Sequence, residues 1–189
     1  AAAPATITKI GVGVRPNGLA YDPARRRLLA ANVGDPAVPG SYTVSLVDLD
    51  SRGVTEVPVP GRTRWTVHDP AAVAAVPSAG PHGLDLDVAR RRLFCACDDG
   101  RLVEIDADTG AVVRAAPLAG APDVVFLNVR LARLYVAVGD PGVIEVFDTR
   151  TLRRVEFVRS GHRPAGAGGA PSARARARPG ETAASRAPT

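Results

Sequence analysis

Asn17, His82 and Asp123 occupy the same place in three similar stretches, RPNGLAYDP, GPHGLDLDV and GAPDVVFLN. Arg64 stands in a corresponding place ahead of Trp65-Thr66-Val67-His68-Asp69-Pro70, a stretch whose end matches Gly18-Leu19-Ala20-Tyr21-Asp22-Pro23. An amide, a guanidinium, an imidazole and a carboxylate gathered at one opening supply donors and acceptors for a small polar or anionic ligand, or for a metal ion. The competing reading is local: beside Pro and Gly, Asn17 and Asp123 serve as turn residues that satisfy nearby backbone groups.

Other reactive side chains are less patterned. Cys95 and Cys97 are separated by one residue, so in an extended segment they project the same way, too far apart for an unstrained disulfide. Two thiols without cysteine or histidine partners nearby in sequence make a poor metal site, and small packed side chains are expected. The triplets Arg25-Arg26-Arg27 and Arg90-Arg91-Arg92 could meet phosphate, but at hairpin tips solvation is expected instead. Glu104 and Glu145 fall on strands where solvent-facing positions are expected. The sequence contains no G-x-S-x-G, P-loop, H-E-x-x-H or paired-cysteine zinc pattern.

The elements that must position these groups follow from an internal repeat. Residues 15–35, 80–99 and 120–140 align, and each continues into a second shared piece: TVSLVDLDSRGV, RLVEIDADTGAVV and GVIEVFDTRTLRRV. Apolar and polar residues alternate over short runs, as in half-buried strands. Strand one is read at 18–21, 83–86 and 124–127, and strand two at 28–33, 93–97 and 134–138. Strand three is read at 44–48, 102–106 and 143–148, and strand four at 54–59, 112–118 and 155–158. Asp, Thr and Gly between strands three and four suit a tight turn with positive φ. The spacing from Leu93 to Leu134 is 41 residues, the length of one blade of a β-propeller, in which four-stranded sheets stack face to face around a channel. Strand one lines that channel, so Asn17, Arg64, His82 and Asp123 converge at its mouth. The fold class is therefore all-β: blades near 7–59, 80–118 and 120–158, a partial blade at 61–77, and an incomplete ring over residues 1–159.

The interval from Leu28 to Leu93 is 65 residues, and the strand-one motif near Trp65 has no strands two and three after it, as a deletion within a blade would leave. Residues 160–189 have no period and are rich in Ala, Gly, Pro, Ser and Arg; disorder is expected there, as after a frameshift in a GC-rich gene. That tail holds five arginines against one glutamate, while residues 1–159 are almost neutral, so the net charge of +5 does not indicate a specific nucleic-acid binder. No apolar run is long enough to span a bilayer, and a soluble chain of bacterial cytoplasm or periplasm is expected.

The segments RLYVAVGD at 133–140, LLAANVGD at 28–35, GPHGLDLD and VFDTRTLRRV resemble the repeats of the YncE-like (YVTN-repeat) propeller proteins. The resemblance implies a ring larger than three blades; the repeat, the near-neutral body and the missing catalytic motifs point to a noncatalytic scaffold, without cofactor, for a protein or small-molecule ligand. Blade faces left open at each end imply self-association. An alternative implied by related propellers is a lactonase-like or gluconolactonase-like hydrolase, with calcium or another divalent cation in the channel and Asn17 and Asp123 among its ligands.

Overall fold

The computed structural model describes residues 7–59 and 80–159, which form twelve strands in three antiparallel sheets. Blade 1 contains β1 (Pro16–Asp22), β2 (Arg27–Asn32), β3 (Thr43–Asp48) and β4 (Val54–Pro58). Blade 2 contains β5 (Pro81–Asp87), β6 (Arg92–Cys97), β7 (Arg101–Asp106) and β8 (Val112–Pro117). Blade 3 contains β9 (Pro122–Asn128), β10 (Arg133–Val138), β11 (Val143–Asp148) and β12 (Arg154–Arg159). Within each sheet the strands lie in chain order, and equivalent residues pair: Leu28 with Val47, Leu93 with Ile105, Leu134 with Phe147. The boundaries agree with the repeat to within one or two residues. The partial blade expected at 61–77 and the tail at 160–189 lie outside the described residues.

Two apolar layers hold the blades together. Leu29, Ala31 and Val44 of blade 1 meet Leu93, Cys95 and Ile105 of blade 2. Phe94, Ala96 and Leu102, on the opposite face of blade 2, meet Leu134, Val136 and Phe147 of blade 3. Side chains alternate across a strand, so β6 and β7 each supply both layers. Cys95 and Cys97 are free and buried in the first layer, as expected, and the hydrogen bond with the Cys95 thiol together with burial pushes the Cys97 thiol well up. The end blades each keep one face open: Leu19 and Tyr21 are exposed on blade 1, and Val124, Phe126 and Val158 on blade 3, where the Phe126 and Tyr135 rings sit 6.2 Å apart.

The turns between strands three and four repeat one device. The Asp106 carboxylate accepts hydrogen bonds from the Asp108 and Thr109 amides, both 3.0 Å, and from the Thr109 hydroxyl. Asp48 and Asp148 do the same, and these bonds to the charged form hold all three carboxyls below the usual range. Positive φ falls at Gly110, Arg52 and Leu152, so in blade 1 it lies on Arg52 rather than on the expected Gly53. Replacing Asp106 with alanine is expected to cost about 1 kcal/mol, the usual worth of such a local bond, read from the urea midpoint.

The arginine triplets differ from expectation. Hairpin tips of adjacent blades lie side by side, so Arg25 and Arg91 meet carboxylates of the neighbouring blade, while Arg26, Arg27 and Arg92 pair with carboxylates of their own blade. Arg91 Nη2 lies 2.6 Å from Asp22 Oδ2 and 2.9 Å from Asp108 Oδ1, and Arg25 reaches the same Asp108 from blade 1 at 3.1 Å. Arg90 donates to the Thr149 carbonyl of blade 3 at 3.0 Å.

Candidate functional site

β1, β5 and β9 are the inner strands, packed side by side in that order. Each opens with a proline, and next to it each ladder with strand two slips: between Pro16 and Leu19, between Pro81 and Gly83, and opposite Val136 and Val138, where Pro122 and Val125 pair but Asp123 and Val124 do not. Asn17, His82 and Asp123 are the residues in those slips. A residue unpaired in its ladder is re-aimed, and here all three are turned toward a common point.

His82 is the centre of that point. Its Nδ1–H donates to Asp98 Oδ1 at 2.8 Å, which fixes the tautomer and leaves Nε2 to accept from the Asn17 amide, also at 2.8 Å. Asp123 Oδ1 stands 4.0 Å from Nε2, longer than a hydrogen bond, and its side chain is 75% exposed. Asp98 approaches because Gly80 has φ +52 and no side chain: a Cβ there would lie 2.8 Å from that of Asp98. Three of the four expected residues are thus brought together; Arg64 lies outside the described residues.

Asp98 was not among the expected residues. Its signal was present: where blades 1 and 3 have Val33 and Gly139 after strand two, blade 2 has an acid following Cys97. Beside the cluster runs a groove of about 220 Å³, lined by Asn17, Leu19, Leu84, Asp123, Val124 and Val125 among others. A larger groove of about 400 Å³ lies at the outer rim near Asp48, Thr55 and Asp108, but Asp108 is already paired with Arg25 and Arg91.

Glu104 and Glu145 do not face solvent. Both strands lie inside their sheets, and the face that carries each glutamate also carries residues of the layer between blades 2 and 3, so these polar residues are buried too, and each carries an arginine. Glu104 accepts from Arg114 Nη2 at 2.6 Å; Glu145 accepts from the Ala119 amide at 2.8 Å and pairs with Arg154. Neither is available to a channel cation. Among the described residues no group of three or more His, Cys, Asp or Glu is arranged to hold a metal ion, and no helix is long and apolar enough to cross a membrane.

No protein-family model matches the chain, and no curated protein matches it in sequence. Solved structures match well in shape. Hydrazine synthase of Kuenenia stuttgartiensis superposes with a TM-score of 0.60 at 16% identity, over 82% of this chain and 38% of that one. AztD of Citrobacter koseri gives 0.55 at 14% identity, over 84% of this chain and 38% of that one. Sqt1 of Saccharomyces cerevisiae gives 0.54 at 11% identity, over 73% and 32%. The chain spans under two fifths of each of these proteins. At such identities the likeness speaks for fold alone. AztD and Sqt1 are β-propeller proteins, and the three stacked sheets described here are blades of that fold.

Proposed function

We propose that the chain is a noncatalytic propeller scaffold of the YncE-like kind, which binds a small ligand at the channel mouth around His82 and meets protein partners through its open faces. The reading is carried by one observation: Asn17, His82 and Asp123, each in a ladder slip on a different inner strand, converge beside a groove although they are far apart in sequence. Side chains that only served local turns would bond their own loops. Asn17 instead bonds across blades to His82. The open apolar faces at Leu19 and Phe126 support contacts with a second copy or another protein. The lactonase-like reading has less support, since both strand-three glutamates are occupied by arginine and buried.

A library of small polar compounds screened by amide NMR tests this. Bound compounds are expected to shift the signals of residues 17, 82, 83 and 123, and His82→Ala, which removes the ring from both its partners, is expected to abolish the shifts while circular dichroism stays unchanged. Binding confined to the outer-rim groove, or shifts that survive in His82→Ala, would refute the assignment.

A further inference from the structure

The groove beside His82 has a sign, and it differs from the anionic preference that an imidazole and an arginine suggest in sequence. Nδ1 is engaged with Asp98 and Nε2 with the Asn17 amide, so neither ring nitrogen is left for a ligand in the groove. Among the described residues, the carboxylates in reach of the His82 ring are those of Asp98 and Asp123. Asp123 projects into solvent, and its Oδ1 lies beyond hydrogen-bond distance of Nε2. Its exposed carboxylate lines the groove itself, together with Asn17.

The floor is of the opposite character. Leu19 and Val124 stand 66% and 56% exposed on the two outer inner strands, with Leu84 and Val125 beneath them. Gly18 and Gly83 lie between, so backbone approaches backbone and the trough stays shallow. At about 220 Å³ the space is below the roughly 300 Å³ at which drug-sized ligands begin. An apolar trough with a carboxylate at its lip matches a molecule with a short apolar body and a positive, hydrogen-bond-donating head.

We infer that this groove takes a small organic cation, an ammonium or amidinium on a short alkyl chain or single ring, with its head on Asp123 and its body against Leu19 and Val124. The inference rests on the channel-mouth reading above and adds to it the charge and size of the ligand. The exposed Asp123 carboxylate disfavours anions, and the imidazole's part is to hold Asn17 and Asp98 in place.

Isothermal titration and amide NMR with four probes of one shape test it: benzamidine, benzylamine, benzyl alcohol and benzoate. Benzamidine and benzylamine are expected to bind in the millimolar range, with shifts at residues 17–19 and 123–125. Benzyl alcohol is expected to bind about tenfold more weakly, the worth of one charge-assisted hydrogen bond, and benzoate not to bind. Asp123→Asn, an exposed change that leaves the core untouched, is expected to lower cation affinity about tenfold and to remove the preference over the alcohol. If the alcohol or benzoate binds at the groove as tightly as the cations, or if Asp123→Asn leaves cation affinity unchanged, the charge assignment fails while the channel-mouth site stands. If no probe perturbs the groove at millimolar concentration but other polar compounds do, the cation is again the wrong class. If nothing binds there, both readings fail together.

Discussion

Gly18→Val is expected to destabilise the chain by about 2 kcal/mol or more and to separate Asn17 from His82. A Cβ at position 18 would lie 2.4 Å from the His82 carbonyl oxygen and 3.1 Å from the Leu84 amide nitrogen. Both are backbone atoms of the neighbouring inner strand, so no side chain can swing away. Overpacking of this kind costs about 1 to 3 kcal/mol or more. Valine recovers up to about 1 kcal/mol through its better fit to a strand, which is too little to compensate. Urea unfolding followed by far-UV circular dichroism measures the loss. Gly11→Ala is the control, since nothing lies within 4 Å of a Cβ there. A Gly18→Val protein as stable as its parent would mean that β1 and β5 do not abut as described.

Arg91→Met should cost about 3 kcal/mol, because it leaves the Asp22 carboxylate buried without its cation. Asp22 is 1% exposed and accepts from Arg91 Nη2 at 2.6 Å and from the Ala24 and Arg25 amides at 3.1 and 3.3 Å. Burial works to raise its pKa, but the hydrogen bond and charge of Arg91, with the two amides, outweigh it and hold the carboxyl below its ordinary value of 3.8. A carboxyl depressed on folding adds stability that is complete above the unfolded pKa and is lost as pH falls through the folded one. In the parent that loss therefore begins only below about pH 4. Without Arg91, burial prevails, the folded pKa rises, and the acid limb of the stability curve moves to higher pH. Methionine keeps the positive-φ penalty already present at Arg91, so the comparison isolates the charge. Adding Asp22→Asn to Arg91→Met should restore much of the loss, since an amide needs no counterion. Equal acid limbs in parent and Arg91→Met would overturn the account.

The strands could be read from the sequence because the same alternation recurs three times: what was ambiguous in one copy, such as the short run at Val124, was settled by its counterparts at Gly18 and Gly83. The convergence of Asn17, His82 and Asp123 followed from the same register. What could not be read was anything that depends on which faces are covered. Glu104 and Glu145 look like outward positions in an alternating strand, and only the packing of one blade against the next buries them with Arg114 and Arg154. Asp98 escaped notice for a related reason. Its role exists only once Gly80 lets strand two's end approach the imidazole, a contact between segments that no local pattern records. The triplet arginines belong to the same class, since Asp22 and Arg91 are far apart in the chain and meet only across a blade boundary.

Val124 occupies the place that Gly18 and Gly83 hold in the other two inner strands, and it faces outward on the open side of blade 3. At the two existing seams the missing side chain lets main chain nest against main chain. Any sheet that settles on the third blade meets an isopropyl group there instead. It must sit farther out, so that seam would be looser than the others and the first to gape under strain.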